Sequence, residues 1–61
     1  MISGFCLEKA RRGEKVERFD VLRQRWRIET AWFHTAFEHN GIVVYGEGKL
    51  CEKIENLRMC N

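Results

Sequence analysis

Residues 14–39 decide the fold of this chain, and they read EKVERFDVLRQRWRIETAWFHTAFEH. The stretch contains neither glycine nor proline, and the Asn40–Gly41 pair that follows it is a common signal for the end of a helix. At about 100° per residue, one face of a helix would collect most of the large apolar side chains. They are Phe19, Leu22, Trp26, Phe33 and Phe37. The stretch therefore predicts a long central amphipathic helix.

A second apolar strip on this predicted helix comprises Val21, Ile28 and Trp32, roughly 130° from the first. A chain of 61 residues offers little further surface to cover two faces of one helix. We therefore expect a second copy to cover the remainder, which predicts a homodimer or other homo-oligomer. The expected interface consists of Val21, Trp26, Ile28, Trp32, Phe33 and Phe37.

The N-terminal segment predicts a short helix over about residues 4–12. Ser3 is a suitable N-cap, and Gly13 is a suitable residue just beyond the helix end. A short strand at Ile2–Leu7 is the alternative interpretation.

The C-terminal segment predicts a short return helix at about residues 49–59. Its basis is the spacing of Leu50, Ile54 and Leu57, which lie at i, i+4 and i+7. Residues 42–45, before it, are apolar and mostly β-branched, so they favour a short strand or an extended connector.

The expected architecture is thus all-α: a helical hairpin that forms one small domain over residues 1–61. The composition agrees with a folded chain, because 44% of the residues are hydrophobic and 33% are charged. The complete lack of proline also favours helices.

The charges are distributed unevenly along the chain. Residues 1–27 carry a formal net charge of +4, whereas residues 28–61 carry −2. Arginine suits both phosphates and base edges, so the basic half makes nucleic acid the alternative partner. The candidate nucleic-acid contacts are Arg11, Arg12, Arg18, Arg23, Arg25 and Arg27.

The residues that commonly hold metals or perform catalysis are poorly arranged. His34 and His39 diverge by roughly 140° on a helix, and Cys51 and Cys60 are too far apart for a zinc knuckle. These two and Cys6 follow no export signal, which predicts reduced thiols, no disulfide and a cytoplasmic location. We expect no metal, no cofactor, no catalytic residue, no small-molecule substrate and no membrane span.

The function predicted from these features is that of a small non-enzymatic regulator or adaptor. It acts by binding another protein, as a homodimer, and a nucleic-acid-binding regulator is the alternative. In size and arginine content the chain is similar to small accessory proteins of bacteriophages. This similarity involves no motif, so it transfers no residue roles.

Overall fold

The computed structural model describes residues 4–60, and strands dominate it: 42% of these residues lie in strands and 14% in helices. The predicted all-α helical hairpin is therefore wrong. The elements are α1 (Leu7–Arg11), β1 (Val16–Asp20), β2 (Arg25–Glu29), β3 (Phe37–His39), β4 (Ile42–Tyr45), β5 (Leu50–Lys53), a 3-10 turn (Ile54–Asn56) and β6 (Leu57–Met59).

The strands form two antiparallel sheets of three strands each. Sheet A has the order β2-β1-β6, and sheet B has the order β3-β4-β5. The chain makes the β1–β2 hairpin, crosses to sheet B through residues 30–36, and returns to sheet A through the 3-10 turn. There β6 pairs with β1, so the first and last strands of the chain lie side by side.

The central helix predicted for residues 14–39 is replaced by β1, β2 and β3. In β1 the side chains alternate between two faces, as strand geometry requires. Val16 is buried in the core. Glu17 and Phe19 lie on the opposite face of sheet A, where they are side by side with Ile28 and Trp26 of β2. The stretch is rich in β-branched and aromatic residues, which pack well on a pleated surface. Pairing between strands therefore prevails over the helical spacing of the apolar residues.

The five side chains that suggested a helical stripe do not share a face. Phe19 and Trp26 lie together on the outside of sheet A. Phe33 is buried in the core, and Phe37 lies on the outside of sheet B. Leu22 lies in the β1–β2 turn and is 92% exposed. Their spacing of three and four residues is thus coincidental.

Asn40–Gly41 ends no helix but forms the turn between β3 and β4. The φ angles of Asn40 and Gly41 are 51° and 80°, and His39 pairs directly with Ile42 across the turn. Two-residue turns with positive φ match the twist of antiparallel strands, and Asn-Gly is their preferred sequence. The same dipeptide is thus a hairpin signal here, because strands flank it on both sides.

The N-terminal helix is shorter than the predicted span of residues 4–12, since α1 covers only Leu7–Arg11. Of the alternative strand at Ile2–Leu7, residues 2 and 3 lie outside the described residues, and residues 4–6 are not in a strand. The main-chain N–H of Met59 nevertheless donates to the carbonyl of Gly4, at 3.3 Å.

The predicted return helix at residues 49–59 is also wrong, because β5, the 3-10 turn and β6 occupy this segment. Leu57 is buried and Ile54 packs against the core, but Leu50 remains 45% exposed. These three apolar residues belong in succession to β5, the 3-10 turn and β6, so their spacing does not reflect a helix. The short strand expected at residues 42–45 is present as β4.

The core lies between the inner faces of the two sheets. At its centre the rings of Phe33 and Tyr45 stack in parallel, with centroids 4.4 Å apart and an interplanar angle of 7°. Phe33 belongs to the crossing segment and Tyr45 to β4, so the stack attaches the crossing to sheet B. The buried residues are Ala10, Val16, Phe33, Ala36, Val43, Tyr45, Leu57 and Met59.

A polar cluster beside this stack joins the two sheets. Glu29 Oε2 accepts hydrogen bonds from the Tyr45 hydroxyl and from Arg18 Nε, each at 3.0 Å. Glu29 Oε1 accepts the main-chain N–H of Ala31 at 3.1 Å. Arg18 Nη1 also lies 3.8 Å from a carboxylate oxygen of Glu52 in β5. We call Arg18, Glu29, Tyr45 and Glu52 the Glu29 cluster.

The turn geometry predicts that Gly41→Ala lowers the free energy of unfolding by about 1–2 kcal/mol. A Cβ at this position would meet no atom within 4 Å, so the loss measures backbone strain at positive φ alone. Gly4 is the matched control, because it has equal space and no positive φ. Urea unfolding followed by tryptophan fluorescence should show a change below about 0.5 kcal/mol for Gly4→Ala. Equal losses for both variants would contradict the turn.

The Glu29 cluster predicts an alkaline loss of stability. Burial, and then the hydrogen bond and charge of Glu29, raise the pKa of Tyr45 above its ordinary value of about 10. Above pH 10 the unfolded chain ionises its tyrosine first, so the contribution is complete below this pH and is lost as pH rises further. Tyr45→Phe should remove this part of the pH dependence.

Tyr45 is the only tyrosine of the chain, so phenolate absorbance reports its ionisation directly. We expect the folded protein to titrate at higher pH than the urea-unfolded protein. Coincident titration curves for the two states would contradict the burial of the hydroxyl beside Glu29.

Candidate functional site

The outer face of sheet B presents an apolar surface across all three strands. The register places Phe37 of β3, Val44 of β4 and Cys51 of β5 side by side in one row. Ile42 lies two residues before Val44 and therefore on the same face. Phe37 is 50% exposed and Ile42 is 36% exposed. We call these four residues the apolar face.

The next row of the same sheet gives the apolar face a weakly basic border. It contains His39, Ile42 and Lys53, which the register places side by side. None of the outward-facing positions in these two rows is a carboxylate. A surface with this composition can bury apolar area against another molecule, but it offers little charge with which to hold a polyanion.

A groove lies between the α1–β1 connection and the segment that leaves β2. It has a volume of about 600 Å³. Arg12 and Lys15 line one side, and Ile28, Trp32 and His34 line the other. We call it the basic groove. It brings together residues that the sequence analysis assigned to two different partners.

Trp32 is the most exposed aromatic side chain described, with 62% of its surface accessible. Its indole Nε1–H donates to His34 Nε2 at 3.1 Å, and the two rings meet at 72° with centroids 4.9 Å apart. The polar atom of the indole is therefore already satisfied. Most of the ring remains available for stacking or apolar contact in the groove.

On the outer face of sheet A, a neighbouring side chain covers part of the aromatic surface. Phe19 and Trp26 pack edge to face, with centroids 5.4 Å apart. The guanidinium of Arg58 lies 4.2 Å from the Trp26 ring centroid and donates to Glu17 at 2.7 Å. A cation over an indole is favourable, and the arginine stem shields the ring. Ile28, 49% exposed, extends this surface toward the basic groove.

The six arginines proposed as nucleic-acid contacts are not brought together. Arg18 belongs to the Glu29 cluster, and Arg11 Nε donates to the main-chain carbonyl of Ala36 at 2.7 Å. Both therefore hold elements of the fold together. Arg12 lines the basic groove and makes a 3.6 Å ion pair with Glu14.

The other three arginines lie at the far end of the β1–β2 hairpin. Arg23 and Arg27 both pair with a carboxylate oxygen of Asp20, at 3.1 and 3.4 Å. The main-chain N–H of Arg23, followed by the two guanidinium groups, lowers the pKa of this carboxyl. Arg25 is exposed and forms no ion pair with any residue in 4–60. The hairpin end is thus partly neutralised.

The residues proposed for self-association are likewise distributed over separate surfaces. Phe33 is buried in the core and Trp26 lies beneath Arg58, so neither presents a free face. Val21 is 64% exposed in the β1–β2 turn. Ile28 and Trp32 line the basic groove, and Phe37 lies on the apolar face.

Sequence reasoning missed Ile42, Val44 and Cys51 as surface residues of sheet B, and it placed Lys15 only within the basic half, not in a groove. The sequence does contain a signal that identifies residues on the outer face of sheet B. Interpreted as a hairpin turn, Asn40–Gly41 pairs Phe37 with Val44 and so places both on one face. No comparable local signal marks Lys15, because the groove joins segments that are distant in sequence.

Among residues 4–60 the chemically reactive side chains are dispersed. Cys6 and Cys51 are free thiols, and Cys51 is exposed. Within residues 4–60, no three His, Cys, Asp or Glu side chains are grouped closely enough to hold a metal ion. In the same range, no helix has the length and apolar character needed to cross a membrane.

Comparisons with known proteins found no match: no family model, no curated protein and no solved structure matches the chain.

The positive charge of the basic groove predicts that the quenching of Trp32 fluorescence depends on the charge of the quencher. Trp26→Phe leaves Trp32 as the only indole, and Trp32→Phe leaves Trp26. Because Arg12 and Lys15 attract anions, the ratio of iodide to caesium quenching should be several-fold higher for Trp32 than for free tryptophan, the reference needed because iodide is the stronger quencher of any indole. Trp26, shielded by Arg58, should be quenched less by iodide. A ratio for Trp32 equal to that of free tryptophan would contradict a positive groove.

Proposed function

We propose that this protein is a small non-enzymatic regulator or adaptor that binds another protein, and that it self-associates as a homodimer through the apolar face. The observation that carries the proposal is the uninterrupted row of Phe37, Val44 and Cys51 across sheet B. Exposed apolar side chains are common singly, but a contiguous group is typical of an interaction site.

The driving force is the removal of apolar area from water, worth roughly 25 cal/mol per Å². Among residues 4–60 the core contains eight buried residues, and a core of this size leaves a small domain marginally stable. A second copy that covers sheet B adds apolar contacts without requiring any charged group to be desolvated at the centre. Lys53 and His39, at the border, can remain in contact with water.

The size of the apolar face indicates a weak dimer. Three strands, each about four residues long, cover an outline of roughly 14 by 13 Å. A stable interface usually buries about 800 Å² on each partner, which is about one sixth of the 4671 Å² surface of this chain. The apolar face alone supplies less than this. We therefore propose an equilibrium between monomer and dimer at micromolar concentrations, in which a partner protein can replace the second copy.

Phe37→Glu tests the proposed interface, because it places a charge in the centre of the apolar row. Sedimentation equilibrium of the wild type should show an average mass that rises from 7.3 kDa toward twice this value with concentration. The variant should remain monomeric over the same range, with a dissociation constant at least about tenfold higher.

Leu22→Glu is the matched control, since it makes the same kind of change at the 92% exposed residue of the β1–β2 turn. It should dimerise as the wild type does. Circular dichroism should show that both variants remain folded. A wild type that stays monomeric at high micromolar concentration would refute self-association, and an equal effect of Leu22→Glu would refute the assignment to sheet B.

A further inference from the structure

We propose that the basic groove is a separate binding site for single-stranded nucleic acid. In this site the indole of Trp32 stacks on a base, and Lys15 and Arg12 contact the phosphates on either side. The site lies away from the apolar face, so this inference goes beyond the proposed protein-binding function and does not depend on it.

The charge balance of the groove favours a polyanion. Lys15 is exposed and forms no ion pair with any residue between 4 and 60. The ion pair of Arg12 with Glu14 spans 3.6 Å between side chains that are 65% and 52% exposed. Such a pair contributes little and exchanges readily for a phosphate. Both cations are thus available to a ligand.

The other carboxylate along the groove does not oppose this charge. Glu29 lines the groove, but both of its oxygens accept hydrogen bonds, from Arg18, Tyr45 and Ala31. Its charge is compensated by the Arg18 guanidinium within the fold. Of the described residues that line the groove, Glu14 is therefore the one acid that competes with a ligand phosphate.

Trp32 gives the groove the second property that single-stranded nucleic acid requires. Base stacking on aromatic side chains is largely independent of sequence, because every base has a flat π surface. Trp32 is 62% exposed, and its N–H already donates to His34. The neighbouring Ile28 is 49% exposed and adds apolar area beside the indole. A base placed here covers exposed apolar surface while its backbone remains near Lys15.

The geometry favours an unpaired strand over a duplex. Bases inside a duplex stack on one another and are not available to a single indole unless a nucleotide is extruded. Readout of the major groove requires a protruding helix or a two-stranded ribbon. The basic groove presents neither: helix α1 has only five residues and packs on the core through Ala10, and the protruding turn of the β1–β2 hairpin does not line the groove. The groove, at about 600 Å³, is of the size that holds a small ligand such as one or two nucleotides.

The test measures fluorescence anisotropy of a labelled oligothymidine of about 12 nucleotides, with the complete chain titrated at low salt and at increasing salt. An oligouridine of equal length and a DNA duplex are measured in parallel. The wild type should bind both single strands and should bind the duplex at least about tenfold more weakly.

Three variants locate the site. Trp32→Ala should weaken binding to the single strand by about tenfold or more, and Trp32→Phe should retain part of the affinity, because a smaller aromatic ring still stacks. Lys15→Gln should weaken binding less and should lower the slope of log affinity against log salt by about 0.7, as expected for one lost phosphate contact. Unchanged urea unfolding would show that each loss is local.

Arg25→Gln is the matched control. It removes the charge of another exposed basic residue, at the far end of the β1–β2 hairpin, and should reduce binding by less than about twofold. Four results would overturn the proposal: no binding at low salt, equal affinity for the duplex, equal losses for Arg25→Gln and Lys15→Gln, or competition by polyglutamate as effective as that by oligothymidine. The last result would indicate a general site for acidic chains. Because Phe37→Glu leaves this groove unchanged, it should bind the oligonucleotide as the wild type does.

Discussion

The rest of this structure depends on the contact between its two small sheets. A three-stranded sheet with strands of three to five residues buries little apolar area by itself, and a core that small is marginal. The stack of Phe33 on Tyr45 attaches the crossing segment to sheet B, and beside it the shared carboxylate of Glu29 joins the two sheets. This carboxylate would be costly to bury alone, but its hydrogen bonds compensate for its desolvation. Because Glu29 belongs to β2 and Tyr45 to β4, their hydrogen bond also fixes how these two strands are placed relative to each other. An apolar contact alone has no direction and would not do so.

This arrangement determines which surfaces remain exposed. Because each sheet uses one face for the common core, its other face meets solvent. Sheet A shields much of its outer aromatic surface with Arg58, which is tied to Glu17. In sheet B, Phe37 is 50% exposed with no comparable cover from the part of the chain that the structure describes, and the outer face remains apolar. The basic groove does not belong to the outer face of either sheet. It forms where the chain leaves sheet A to cross to sheet B. The two proposed binding activities therefore belong to separate surfaces with different chemistry.

The error in the predicted fold has a specific physical cause. Spacings of three and four residues occur among Phe19, Leu22 and Trp26 because a strand, a turn and a second strand follow one another at short intervals. The alternation of Glu17 and Phe19 with Val16 was equally available in the sequence. Intrinsic preferences differ by only a fraction of a kcal/mol per residue, so they do not decide between these interpretations. The pairing of β1 with β6 decides in favour of strands, and these two strands are about 40 residues apart in the sequence.

The sequence by itself determined the set of apolar and basic residues from which every proposed surface is built. It also carried the local signals for the turn at Asn40–Gly41, which we predicted wrongly as a helix end, and for the strand at Ile42–Tyr45, which we predicted beside an extended connector. These depend on local conformational preferences, which act between neighbours in the chain. Only the tertiary structure decided which of those residues are available. It buried Phe33, left Trp32 exposed, and joined Arg18 to Glu29 while leaving Lys15 without an ion pair in residues 4–60. Exposure and pairing are properties of contacts between distant segments, and such contacts exist only once the two sheets have come together.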